Sequence, residues 1–475
     1  MSAVAAATPA GESAISFEAG DVSVDAFRGS FRVPENRSDP SSRMIDVHYV
    51  RFPSTAAAPG APIVYLAGGP GGSGVATARG RRFPLFMAMR AFGDVIALDQ
   101  RGTGWSATAP RCVSRVVMPT DRAVPDAEEA AMLRAAAEEC DSFWRAAGYD
   151  PAGYTTVENA RDLDALRRHL GAEQVTLWGI SYGSHLALAA ARELGPRIDR
   201  MILASVEGLD QTVKLPSETD AYFGRLQSAI DAEPAAKAIY PDLKALIARV
   251  HQKLEADPPT LVLARDGVEK TLLLTKRVMR GVASAMIADP ESAVLLLQLY
   301  LAVDASAYEP LQGLLAQFVD PGAPETFSLM PLAMDIASGV GVERLAQIKR
   351  EARVALLGDV LNHPMPQLAG ALGLDLGDGF RAAPNGDMPT LALMGTLDGR
   401  TYPREQRAAL VNLSRVEIVT VANAGHNLFM ASSDVQDIME RFMRGERVDG
   451  ANIIVDAPTF APSIAQEGKA AEGRH

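Results

Sequence analysis

The stretch VTLWGISYGSHLALAAA, Val175 to Ala191, decides the fold. Val175 to Trp178 is a short apolar run of strand formers. Gly179-Ile180-Ser181-Tyr182-Gly183 then fits G-x-S-x-G, and an Ala/Leu-rich segment of good helix formers follows. Strand, sharp turn and helix in that order hold a serine on strained backbone, where a Cβ on either glycine would crowd the turn. The Ser181 hydroxyl then stands at a helix N-terminus, where the dipole favours developing negative charge.

A serine hydroxyl is a poor nucleophile at neutral pH and needs an adjacent base. With this turn, the partners follow in the order Ser, Asp or Glu, His. His185, His251, His363, His426 and His475 lie after Ser181. His185 is pinned one turn into the helix, His251 and His363 fall in helical or loop contexts, and His475 ends the chain. His426 follows the apolar strand Val416 to Val421 in the loop Asn423-Ala424-Gly425-His426-Asn427, just before a closing helix. Loops at strand carboxyl ends are where sites form in open α/β sheets. The preceding strand, Pro389 to Met394, ends in Gly395-Thr396-Leu397-Asp398-Gly399, which supplies Asp398 to orient the imidazole.

An oxyanion formed at Ser181 needs two donors. The Tyr182 N–H is one, and Gly69, in the loop Gly68 to Gly74 after the strand Ile63 to Ala67, is the expected second. The same loop also fits G-x-G-x-x-G, a dinucleotide fingerprint. That reading leaves Ser181, Asp398 and His426 without a role, and no metal or organic cofactor is expected.

Strand-like and helix-like segments alternate from Phe27 to Ala204 and again from Pro389 to Met443, the pattern of a mostly parallel sheet covered on both faces. Between them the character is largely helical. The expected division is a flexible tail over 1–22, a sheet core over 23–208 and 386–447, a helical cap over 209–385, and a second tail over 448–475.

The 475 residues are 48% hydrophobic and 22% charged, with a formal net charge of −12. That balance speaks against nucleic acid or an anionic membrane as a general partner. The apolar run near Ala293 to Val303 is too short to span a bilayer. The N-terminus has no Lys or Arg ahead of its small residues and makes a poor secretory signal, so a cytoplasmic chain is expected. Cys112 and Cys140 leave two readings open: free thiols in the cytoplasm, or one disulfide in a periplasmic or secreted protein. The oligomeric state is not legible.

Taken together, GGPGGSG, DQRGTGWS, GISYGS, GTLDG and AGH resemble the proline iminopeptidase and tripeptidyl aminopeptidase branch of the α/β-hydrolases. The resemblance implies an α/β-hydrolase fold, a triad of Ser181, Asp398 and His426, and a cap over the site. It implies a structural role for Asp99 and Arg101, and release of N-terminal residues from peptides. Ala67 stands where many proline iminopeptidases have His, which leaves a narrow proline preference unsupported. An aminopeptidase must hold a cationic α-amine, and Glu207, just past a strand end, and Glu218, early in the cap, are the nearest candidates. A carboxylesterase on small esters is the runner-up, and a non-catalytic ligand receptor on the same fold is the third reading.

Overall fold

The computed structural model describes residues 9, 11–107 and 109–461. Ten strands form one sheet. From one edge they run Ser13–Ala19, Val22–Pro34, Met44–Phe52, Val95–Leu98, Ile63–Leu66, Val175–Ile180, Ile198–Ala204, Thr390–Gly395, Val416–Ala422 and Asn452–Ile454. The first three are antiparallel, and from Val95–Leu98 onward every neighbour is parallel. Every residue of Ile63–Leu66, Val95–Leu98, Val175–Ile180 and Thr390–Gly395 is buried. Their continuous apolar runs are what a parallel sheet covered on both faces demands.

Each face of the sheet has its own core. One contains Trp178, Phe86, Phe429 and Phe442; the other contains Leu163, Leu166, Leu186 and Leu188. In the helix Thr156–His169 the spacing of Ala160, Leu163 and Leu166 puts all three in that second core. Cys112, on a strand outside the main sheet, is disulfide-bonded to Cys140 in the helix Asp126–Ala146.

Between Ile198–Ala204 and Thr390–Gly395 the chain builds helices around a core of their own, with Tyr222, Phe223, Ile247, Leu296 and Tyr300 inside. This insertion is less purely helical than its sequence suggests. Thr260–Arg265 and Val268–Leu273 form a hairpin across Asp266-Gly267, both at positive φ. That is the Asp-Gly turn whose twist matches paired strands. Pro324–Phe327 pairs with Cys112–Val117. The helix Leu329–Ser338 sends Leu329, Met330, Ala333 and Met334 into a core of the sheet rather than that of the cap. The expected boundary is thus continuous in sequence but interleaved in space.

Both expected tails need correction. Ser13–Ala19 is an edge strand paired along its whole length with Val22–Arg28, because Phe17 and Ala19 alternate onto a buried face. Asn452–Ile454 closes the opposite edge, and Phe460 is buried in the cap, where the Glu233 carboxylate accepts the Phe460 and Ala461 N–H groups. Residues 1–8 and 10 of the first tail and 462–475 of the second, with His475, lie outside the described residues.

Candidate active site

Ser181 sits between the strand Val175–Ile180 and the helix Tyr182–Leu194 at φ 55° and ψ −126°. A non-glycine residue persists there only when its surroundings hold it. They do: the Ser181 N–H is bonded to the Ala204 carbonyl at 3.1 Å, and its own carbonyl accepts Ser184 Oγ at 2.6 Å. The flanking glycines are required by close approach. A Cβ on Gly183 would stand 2.0 Å from the Leu66 carbonyl oxygen, and one on Gly179 would stand 2.5 Å from that of Gly183.

His426 and Asp398 meet from two neighbouring loops. His426 Nδ1 lies 3.0 and 3.1 Å from the two Asp398 oxygens. Asp398 is fully buried and also accepts the Arg400 N–H at 2.8 Å, the Thr401 N–H at 2.9 Å and Thr401 Oγ1 at 2.6 Å. Burial pushes its pKa up, but His426 and the Thr401 donors outweigh that and hold it below the usual range. The carboxylate therefore stays charged, and its position fixes the Nδ1–H tautomer, leaving Nε2 as the acceptor. The His426 main chain is held by its N–H to the Ala288 carbonyl at 2.9 Å and by Ser205 Oγ to its carbonyl at 2.7 Å.

Ser181 and His426 line one cavity of about 630 Å³, within the range of small-molecule sites. The glycine loop forms part of its wall through Gly68, Gly69 and Gly72. Gly68 shows how tightly the loop packs: a Cβ there would lie 3.2 Å from Ser181 Cβ and 3.0 Å from the Ile180 carbonyl oxygen. Gly69 adopts φ 123°, beyond the reach of most side chains. Tyr182 begins the helix, so its N–H belongs to the first turn, which has no acceptor within the helix.

Asp99 and Gln100 brace this loop. Asp99 Oδ1 accepts Ser73 Oγ at 2.5 Å and the Val75 N–H at 3.0 Å, and Gln100 Nε2 donates to the Ala67 carbonyl at 3.1 Å. Arg101 is fully buried and forked onto Asp162, with both contacts at 2.6 Å. Ser73 and Asp99 are thus spent on each other and the helix Gly74–Arg79 has six residues.

Glu207 lines the cavity, but Glu218 does not. Glu218 lies in the first turn of Pro216–Asp231 and pairs with Arg404 at 3.2 Å, because its helix turns that face toward Pro403–Ala409. It is therefore removed from the set of amine-binding candidates. Glu207 pairs with Lys214 at 2.5 Å. Burial works against its charge, and Lys214, with His185, outweighs burial and holds its pKa below the usual range. Sequence reasoning missed Asp335, on the helix Leu329–Ser338, which also lines the cavity. Burial, reinforced by the Glu207 charge and opposed by Lys214, pushes the Asp335 carboxyl up to about 7. The signal was present: Asp335 is the lone charge in the apolar run LMPLAMDIAS. His185 is fully buried, with Nδ1 3.1 Å from the Gly208 carbonyl.

An antiparallel edge leading into a parallel sheet, a strained serine between strand and helix, and an Asp–His pair on the loops after later strands define the α/β-hydrolase fold, and this chain has it. A family model described as alpha/beta hydrolase fold matches residues 61–258. Within that class the chain is similar to the serine protease Hip1 of Mycobacterium tuberculosis (strain ATCC 25618 / H37Rv), 31% identical over 184 residues, covering 38% of this chain and 35% of Hip1. It is also similar to a tripeptidyl aminopeptidase of Streptomyces lividans, 31% identical over 157 residues, covering 30% and 28% of the two chains. The matches therefore span about a third of those relatives' length. An epoxide hydrolase from an endophytic Streptomyces overlays with a TM-score of 0.38 at 16% identity, covering 90% of this chain and 99% of that one. No helix among the described residues is long and apolar enough to cross a membrane.

Proposed function

We propose that the chain is a serine hydrolase that releases N-terminal residues from peptides. Ser181 Oγ attacks the scissile carbonyl while His426 Nε2 takes its proton and Asp398 stabilises the resulting imidazolium. The N–H groups of Tyr182 and Gly69 receive the oxyanion. Collapse of the tetrahedral intermediate breaks the C–N bond, and His426 returns the proton to the leaving amine. Water, deprotonated by His426, then hydrolyses the acyl-enzyme and frees Ser181.

The observation that carries the peptide reading is two of the three carboxylates on the wall of the Ser181 cavity, Glu207 and Asp335; the third, Asp289, accepts the Asn427 N–H at 3.0 Å. Glu207 is balanced by Lys214, whereas Asp335 has no salt-bridge partner among the described residues. A protonated α-amine is the cation that would satisfy it, so Asp335, with Glu207 behind it, is the proposed amine anchor. The similarity to a tripeptidyl aminopeptidase points the same way. The Cys112–Cys140 disulfide supports an oxidising compartment rather than the cytoplasm.

The test is one panel of chromogenic substrates: free-amine aminoacyl and tripeptidyl anilides, their N-acetylated forms, and short-chain esters. The proposal expects anilide cleavage that is lost on acetylation. Cleavage of esters alone would make the chain a carboxylesterase, and no turnover at all would favour a ligand receptor.

A further inference from the structure

A second cavity of about 260 Å³ adjoins the one that holds Ser181. The segment 360–365 runs between them. Val360 lines the second cavity, Leu361, Asn362, Pro364 and Met365 line the first, and His363 lines both. His363 is fixed there. Arg277 donates to its Nδ1 at 2.9 Å, and Arg277 Nε donates to Glu129 at 2.9 Å. Glu129 belongs to the helix Asp126–Ala146 and Arg277 to Lys276–Met286, so three separate segments meet at this junction. Burial, with the Arg277 charge added, brings the His363 pKa down to about 4, and the ring is neutral at physiological pH.

We propose that the second cavity receives the leaving segment of a peptide substrate, the residues beyond the scissile bond, with His363 at the crossing. This rests on the aminopeptidase reading. If the α-amine is held at Asp335 and Glu207, the chain begins there and can extend only away from them. His363 is wall to both the Ser181 cavity and the second one, so a chain leaving the first toward the second passes it. The far side suits a peptide: Leu272, Val278 and Val360 offer apolar wall, and Arg122, paired with Glu128, and Arg277, paired with Glu129, have remaining N–H groups for main-chain carbonyls or a terminal carboxylate. An ester of a small alcohol would leave this space unused. Substrate preference should therefore increase with the length of the leaving peptide.

Gly281 allows a clean test. It lies in Lys276–Met286 and lines the second cavity, and a Cβ there would meet nothing within 4 Å. Gly281→Phe fills the cavity without a backbone conflict, Gly281→Leu fills part of it, and Gly281→Ala leaves it open. Each protein is assayed on substrates sharing one N-terminal sequence, with either p-nitroaniline or a three- to five-residue peptide as leaving group. The wild type should favour the long peptide by about tenfold or more in kcat/KM, the worth of one buried side chain. Gly281→Phe should bring that ratio close to one, chiefly through KM, and Gly281→Ala should preserve it.

Binding of the intact long peptide to Ser181→Ala gives a readout free of turnover. Adding Gly281→Phe should weaken it about tenfold, and the short substrate should show no such dependence. No length preference in the wild type overturns the inference. So does a preference, or a binding constant, that survives in a Gly281→Phe protein with wild-type Tm. If the Phe variant does not fold, Gly281→Leu decides between the same two results. Cleavage of esters alone would sink the aminopeptidase reading by itself, and the Ser181→Ala binding arm would still read the second cavity.

Discussion

Ser205 Oγ donates a 2.7 Å hydrogen bond to the main-chain carbonyl of His426. Ser205 follows the strand Ile198–Ala204 and takes φ 48° to reach it. The strand beside Ser181 thereby holds the proposed base as well, since Ser181 N–H bonds Ala204. Nucleophile and base are registered to each other through one strand end.

Ser205→Ala should therefore act as a positioning defect. Losing a bond worth about 1 kcal/mol should lower kcat roughly fivefold, with KM nearly unchanged. Steady-state kinetics on one anilide check this. A rise in KM at constant kcat would assign Ser205 to substrate binding.

Asp398→Asn should lower kcat on the order of 10⁴-fold, because the amide no longer selects the Nδ1–H tautomer. The fold should hold, since Asn keeps the size of the buried side chain and can still accept from the Thr401 N–H. Circular dichroism beside the kinetics separates loss of chemistry from loss of structure.

Asp335 gives a pH signature. Its folded pKa of about 7 lies above the 3.8 of an unfolded aspartate. Between those values the folded chain keeps a proton that the unfolded chain has released, so this residue's contribution to stability falls as pH rises from about 4 to about 7. Asp335→Asn removes that cost, and its Tm relative to wild type should climb over the same interval. A flat difference would mean that the carboxyl does not titrate near 7.

The same group should shape specificity. Kinetic groups shared by both reactions cancel in the ratio of kcat/KM for a free-amine anilide to that for an ester. That ratio should rise through pH 7 as Asp335 ionises, then fall above about 8 as the substrate amine loses its proton. In Asp335→Asn the ratio should be low and lack the rise near pH 7.

The Cys112–Cys140 disulfide closes a loop with a sequence separation of 28 and ties Cys112–Val117, the partner of Pro324–Phe327, to Asp126–Ala146. Replacing both cysteines with serine should cost about 3 to 4 kcal/mol. Thermal melts with and without reductant measure it; the reductant should destabilise the wild type and leave the double variant unmoved.

The sheet was legible because its strands are buried on both faces, and runs such as IVYL and VIAL leave little else to read. Ser181 and Asp398 each follow such a strand, and His426 follows Val416–Ala422, nearer the sheet edge, where only Val419 and Val421 are buried. Asp335 shows in the sequence only as a lone charge in an apolar helix; its place on the wall depends on the helix Leu329–Ser338 crossing back to the sheet core, a long-range packing choice. Glu218 misled for the opposite reason: nearness in sequence to the strand end did not survive the direction of its helix. The Asp266-Gly267 hairpin was readable and passed over, with strands too polar to stand out among helices. Ser13–Ala19 looked like a tail because only Phe17 and Ala19 carry its buried face.

The central claim is that Ser181 is the nucleophile. Treating the folded protein with a fluorophosphonate and mapping the adduct by mass spectrometry tests it most directly, alongside turnover by Ser181→Ala. The account predicts one adduct, on Ser181, its formation blocked by substrate, and a variant slower on the order of a million-fold. An adduct on another residue, or a Ser181→Ala protein retaining more than about a thousandth of wild-type kcat, would contradict it.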